Sequence, residues 1–316
     1  MNRCGWLFRY VISCFQCKIL IKIMSPERFL NMRRRYFKRY VGNDEKLDEM
    51  NEQLKEWITS GKSFAVTRNG MAETVMFASL VKDRMTGKES ALKQTMSVSF
   101  DKDKQKLAEY FDIIKEVYRE SDIICAWYTL CMEEYAMFQY GRNALVTEVE
   151  LVHAFNAPGS WVQVLKGKKV LVVSPFSETI ESQYPKREFL HKDKDVLPEF
   201  TLSTVKSVWW YSQGRDSRFQ TWFEALDYLY EACMKQEFDI ALLSCSTFGA
   251  PLAVRLKQAG KQAVQMGGGL QLLFGIKGKR WDNAPGLYNE YWVRLPEETK
   301  VGNVDVLDRT QGGVYW

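Results

Sequence analysis

Three consecutive glycines, Gly267-Gly268-Gly269, precede a helical run that begins at Leu270-Gln271-Leu272-Leu273. Without Cβ atoms, such a turn lets the backbone approach an anionic group and aim N–H groups at it. Lys277, Lys279 and Arg280 follow closely and could neutralise a phosphate or a diphosphate. A tight turn with a solvated basic tail is the alternative, since the pattern is neither a Walker loop nor GxGxxG. A second cluster, Arg68-Asn69-Gly70-Met71-Ala72-Glu73, puts a cation and a carboxylate on either side of a glycine that can take a positive φ. Arg68 and Glu73 could reach a ligand there, or brace the turn as an ion pair.

These residues need elements to hold them. Ile240 to Leu243 is an apolar run of buried-strand length. Ser244 to Thr247 form a turn, and Ser246 or Thr247 could cap a helix over 248–258. Gly260 sits where a helix C′ glycine belongs, and Gln262 to Met266 is a second strand. This β-α-β unit predicts parallel pairing, with ligands beyond the strand ends. Val170 to Val173 is another strand. Its turn carries Pro175, Phe176 and Ser177, with Ser177 as helix N-cap. Ser63 to Thr67, 122–127 and Leu202 to Trp210 also read as strands. Helical spacing predicts helices over 44–61, 74–81, 104–119, 133–142, 145–155 and 219–236. A polar loop lies within 82–100, and residues 282–316 read as a loop-rich cap. The expected fold is α/β, a Rossmann-like, mostly parallel sheet with helices on both faces.

Composition narrows the function classes. The chain of 316 residues is 46% hydrophobic and 14% aromatic, as a folded core needs. Its charge is uneven: residues 1–42 hold ten Lys/Arg and one acid, Glu27, while the remainder is net −4. A nucleic-acid-binding core is disfavoured by that split. Seven cysteines at scattered spacing argue for a reducing, cytoplasmic compartment over a disulfide scaffold. Cys14 and Cys17 form a lone CxxC, and the only histidines, His153 and His191, stand in no recognisable catalytic or metal-binding pattern. Residues 5–23 are apolar but broken by Arg9, Lys18 and Lys22, which suits an amphipathic surface segment better than a spanning helix. With Arg33-Arg34-Arg35, residues 5–39 could lie peripherally on an anionic membrane face. Alternatively, Met24-Ser25-Pro26-Glu27 resembles a fresh start, the preceding residues being a translation-start artefact or a disordered leader. The expected division is a peripheral or disordered arm, 1–42, and a domain over 43–316, with sub-lobes 43–160 and 161–316.

The blocks Lys168 to Tyr184, Phe238 to Trp281 and Tyr288-Asn289-Glu290-Tyr291-Trp292 resemble a family found with surface-polysaccharide genes that carries the glycosyltransferase GT-D fold. The cluster Arg68 to Glu73 resembles that fold's amino-terminal block, where an arginine precedes a glycine and a DxE pair. The resemblance covers roughly residues 60 to 316. It implies transfer of a sugar from a nucleotide-diphosphate sugar to a glycan or glycoconjugate acceptor. Arg68 would pair with the donor, and Glu73 would serve as metal ligand or base. Gly70, the Pro175–Ser177 turn, and Cys245, Ser246 and Gly249 would line the donor site. The N–H groups of Gly267, Gly268 and Gly269 would face the phosphates, Gln271 would fix sugar or base hydroxyls, and Lys277, Lys279 and Arg280 would face the diphosphate. The family's DxE holds a divalent metal, manganese or magnesium. Here Met71 replaces the first carboxylate, and a thioether is a poor ligand for a hard cation. Another acid supplies the second oxygen, or the cations replace the metal, or catalysis is lost. The last case implies a non-catalytic nucleotide- or sugar-binding protein of a polysaccharide-assembly complex. A sugar-phosphate isomerase or other Rossmann-type enzyme, suggested by the Ser/Thr-rich turn 244–247, is the remaining alternative.

Overall fold

The computed structural model describes residues 8, 11–41, 46–68, 70, 74, 104–130, 133–156, 159–211, 214–284 and 286–296. Asn69, Met71 to Glu73, residues 75–81 of the helix expected over 74–81, the loop over 82–100 and the tail from 297 lie outside them.

Seven strands form one sheet: β1 (Phe64–Arg68), β2 (Ile123–Ala126), β3 (Leu145–Glu148), β4 (Lys169–Ser174), β5 (Thr201–Lys206), β6 (Ile240–Leu243) and β7 (Gln262–Gln265). Their order is β3-β2-β1-β7-β6-β4-β5, and every pairing is parallel. Strands β2, β4 and β6 are nearly continuous apolar runs because both of their faces are covered, whereas the edge strand β5 is polar and partly exposed. Alternation then splits the side chains between two cores. Val170, Val172, Ile240 and Leu242 enter one core, while Leu171, Val173, Ala241 and Leu243 enter the other.

The helices divide accordingly. On one face lie α2 (Leu47–Ser60), α5 (Ser177–Gln183) and α8 (Gly268–Leu273). On the other lie α3 (Lys104–Glu120), α4 (Glu133–Tyr140), α6 (Trp222–Met234) and α7 (Gly249–Gln258). The start of α6 is set by a reciprocal capping box between Thr221 and Glu224. Gly260, at φ +80°, closes the end of α7 as its position predicts. After β4 and β7 the chain passes to the α5 face, but after β6, which lies between them, it passes to the α7 face. Neighbouring strands whose connections diverge leave a crevice at their carboxyl ends, where open α/β sheets bind ligands.

Several expectations are corrected. Residues 145–148 are strand β3, followed by 3-10 turns over Val149–Asn156, because Leu145 to Glu148 pair with β2. The strand expected to reach Trp210 ends at Lys206. Neither Ser177 nor Ser246 nor Thr247 caps its helix; Phe176 and Phe248 hold the N-cap positions with no side-chain bond. The Thr247 hydroxyl instead accepts from the buried Trp222 Nε1 at 3.1 Å.

Within the amino-terminal arm, helix α1 (Pro26–Val41) buries Phe29, Arg33 and Phe37. Arg33 pairs with Glu134 of α4 at 2.8 Å and donates to the carbonyl of Tyr128 at 2.7 Å. The part of the arm over 26–41, expected at the periphery, therefore packs into the body. An arginine so enclosed needs partners on every side, and α4 and the β2 turn supply them.

Candidate functional site

The carboxyl rim of the sheet gathers most of the residues singled out above. Arg68 ends β1, and its backbone N–H donates to Gln265 Oε1, at the end of β7, at 2.9 Å. Gln265 also packs against Gly249, where an added Cβ would lie 2.9 Å from its Cγ. The Arg68 guanidinium lies on Gly267. A Cβ there would stand 2.0 Å from Arg68 Nη2, and Gly267 already holds φ +55°. Two requirements, a left-handed backbone and an empty side-chain position, thus coincide on one glycine.

The other two glycines bring further groups close. Gly269 abuts Val152 and His153, with an added Cβ 2.4 Å from the Val152 carbonyl oxygen. Gly268 lies under Trp281 and Arg280, whose Nη1 would be 3.3 Å from an added Cβ. The triple glycine therefore serves close approach on three sides. The expectation that its N–H groups face a ligand is corrected for two of them. Gly267 N–H donates to the Leu243 carbonyl at 3.1 Å, and Gly269 N–H to the Met266 carbonyl at 3.2 Å. The β6–β7 pairing continues past the strand ends and uses the first; the tight turn into α8 uses the second.

Two residues join the site that sequence reasoning passed over, His153 and Trp127. His153 follows β3 and meets the Trp127 ring edge-on, centroids 6.4 Å apart. The Arg68 guanidinium carbon lies 5.6 Å from the centroid of the same Trp127 ring. Burial, followed by the charges of Arg68 and Arg280, lowers the His153 pKa from 6.5 to about 4. Its imidazole is therefore neutral at pH 7. Reading 145–155 as a helix hid this placement; a strand over 145–148 puts His153 just past a carboxyl strand end. Burial raises the Cys125 thiol above its ordinary range despite the nearby Arg68, so it remains protonated.

The turn after β2 is held in an uncommon conformation. Tyr128 has φ +58°, and Glu133 accepts from the N–H groups of Trp127 at 3.0 Å and Tyr128 at 3.1 Å. Burial raises Glu133 to about 8 against the lowering effect of those bonds and of Arg33. Ser246, after β6, also has a positive φ, +51°. Both non-glycine residues with this geometry among the described residues sit at the carboxyl rim, where strain is commonly held for function.

Gly70 follows β1, and its carbonyl accepts from the Thr74 N–H at 3.1 Å. Cys245 is buried, its thiol raised above the ordinary range by burial; Ser246 is exposed; Gly249 opens α7. Pro175, Phe176 and Ser177 follow β4, where Phe176 packs on Trp209 with centroids 5.9 Å apart. Strand β4 is three strands from β1. That spacing is about 14 Å, so only an extended ligand could touch both ends of the rim. Gln271 is buried and donates to the Lys277 carbonyl at 3.1 Å, a bond that joins α8 to the chain beyond it. Lys277 approaches the Tyr288 ring with Nζ 5.7 Å from its centroid, and Lys279 is exposed. Glu73 and Met71 lie outside the described residues.

Arg68, Arg280 and neutral His153 around a glycine turn can receive an anion. They do not suit a divalent cation, whose hard charge needs oxygen ligands and would be repelled by two guanidinia. Among the described residues no cluster of three His, Cys, Asp or Glu could hold a metal. No helix among them is long and apolar enough to cross a membrane.

No protein-family model and no curated protein matches the chain. Among solved structures, it is similar to one described as the highly conserved domain of unknown function 1792 with a distinct glycosyltransferase fold. That likeness has 12% identity and a TM-score of 0.45, covering 84% of this chain and 95% of the other. A selenomethionine-substituted structure of domain of unknown function 1792 is similar over the same shares, at 13% identity and a TM-score of 0.45. A protein of Streptococcus sanguinis described as a new glycosyltransferase is similar at 12% identity and a TM-score of 0.44, over 81% of this chain and 96% of its own.

Proposed function

We propose that the crevice binds a nucleotide-diphosphate sugar and transfers its sugar to a glycan or glycoconjugate hydroxyl. The observation that carries this reading is the convergence of Arg68, Arg280 and His153 on Gly267 to Gly269 at the sheet's carboxyl rim. Its sugar chemistry rests on the resemblance of the blocks around Arg68, Lys168 and Phe238 to the GT-D family.

In the reaction the bond from the anomeric carbon to the diphosphate oxygen breaks, and its electron pair leaves with the diphosphate. A bond to the acceptor oxygen forms, and the acceptor proton passes to a base. Negative charge on the leaving diphosphate grows in the transition state, so fixed cations favour that state over the bound donor. Arg68 and Arg280 supply this stabilisation. Arg68 is prepositioned by Gln265 and Trp127 and gives up little freedom on binding. An anion bound between the two arginines offsets their charge at His153 and raises its proton affinity, which suits the imidazole to accept the acceptor proton. Glu73 takes the role of base or metal ligand that the family resemblance gives it.

Isothermal titration with uridine, guanosine and thymidine diphosphate sugars, with and without manganese, tests the reading. Binding by at least one is expected, weakened about thirtyfold or more in Arg68→Met and Arg280→Met with the fold retained. Absence of binding by every donor under both conditions overturns it. Met71 favours one further reading, a donor-binding protein that has lost turnover. Metal-dependent donor hydrolysis appearing only in Met71→Asp would support that version, and turnover by the unaltered chain would end it.

A further inference from the structure

Away from the crevice, the solvent side of the amino-terminal segment is apolar. Phe8, Val11, Phe15, Ile19 and Ile23 recur three or four residues apart and are all exposed, Phe8 at 67% and Ile23 at 73%. Ser13 and Cys17 of the same segment are buried. The segment is helical from Val11, passes through a π-helical turn at Gln16–Leu20, and ends its helix at Ile21–Ile23. Gln16 Oε1 accepts from Arg33 Nη1 at 2.6 Å, which ties the segment to α1. The apolar stripe is thus held outward by a helix whose other side is anchored. Around it, Lys18, Lys22, Arg28, Arg35 and Lys38 are exposed, and Glu27 is the sole acid in residues 1–42.

We infer that this face docks on the surface of an anionic lipid bilayer, lying in the interface plane without crossing it. The apolar stripe enters the boundary between headgroups and acyl chains, and Lys18 and Lys22 meet lipid phosphates beside it. Charge decides the occupant. Lys18, Lys22, Arg28, Arg35 and Lys38 are exposed against the single acid Glu27, so two copies placed face to face would repel each other, whereas an anionic leaflet attracts them. The rest of the chain, at net −4, is repelled by the same leaflet, so the molecule stands with its arm down. Because Arg33 also grips the Tyr128 carbonyl beside the crevice, the docked face and the rim of the sheet form one packed unit. None of this depends on which ligand the crevice takes.

Co-sedimentation of the full chain with phosphatidylcholine vesicles and with mixed phosphatidylcholine–phosphatidylserine vesicles tests the inference. Sedimentation is expected with the anionic vesicles only, and it should fall as salt is added. Lys18→Gln/Lys22→Gln should weaken binding about thirtyfold. Phe15→Ser/Ile19→Ser should abolish it at an unchanged thermal midpoint, with Ile23→Ser as a milder variant should the double one not fold. No sedimentation with anionic vesicles, equal sedimentation with neutral ones, or a dimer in light scattering that the stripe variants dissolve would each overturn the inference.

Discussion

Gly267 carries two constraints, its φ of +55° and the guanidinium of Arg68 in the space a side chain would fill. Gly267→Ala should therefore cost about 1–3 kcal/mol of stability in urea denaturation and shift Arg68 off the crevice, with donor affinity falling in the same variant. His153 gives a prediction in pH. Its folded pKa of about 4 lies below the ordinary 6.5, so between these values the unfolded chain binds more protons than the folded one. Stability contributed by the neutral imidazole is then full above about pH 6.5 and is lost as the pH falls towards 4. The loss is on the order of 3 kcal/mol, and it should be absent in His153→Gln when the two are compared by denaturation across that range. A saturating anionic ligand should move the His153 titration upward, which proton NMR of its ring would register.

At the scale of elements, the join between α1, α4 and the turn after β2 encloses a buried ion pair beside the packing of Phe37 on Tyr128. Arg33 is fully enclosed and Glu134 nearly so, at side-chain exposures of 0% and 2%. Arg33→Met alone leaves a buried carboxylate without its partner and should destabilise by about 3–5 kcal/mol. Arg33→Met/Glu134→Leu should recover a large part of that loss, since an apolar pair of similar volume pays no desolvation cost. A thermal-denaturation double-mutant cycle measures both, and a double variant no better than the single one would contradict the account. These elements also show what local reading misses. The run Leu145 to Glu148 has helical spacing in sequence, but β2 offers it a parallel ladder, and pairing outweighs spacing for a segment this short. Ser177, Ser246 and Thr247 are good cap residues, yet Thr247 is claimed by the indole N–H of Trp222, a partner 25 residues earlier in the chain.

The whole molecule is organised by one sheet that crosses the expected sub-lobe boundary. Strands β1 to β3 come from 43–160 and β4 to β7 from 161–316, and the halves meet where Val66 of β1 lies opposite Val264 of β7. Neither half closes its own sheet. Unfolding in urea should therefore be a single transition with coincident fluorescence and circular-dichroism curves, and two separated transitions would show that the halves fold independently. The α/β class, the parallel β6-α7-β7 unit and the strand at β4 were legible in the residues, because apolar runs of strand length, a C′ glycine and helical periodicity are local signals. The cations at Arg68 and Arg280 were legible as side chains that could meet an anion, and the family resemblance implied one donor site for both, but their contacts were not legible. Their meeting, the place of His153 and Trp127 beside them, and the commitment of the Gly267 and Gly269 N–H groups to backbone carbonyls all depend on strand order. Strand order joins β1 to β7 across nearly two hundred residues of chain, and it is set by how the two cores pack, which no local pattern encodes.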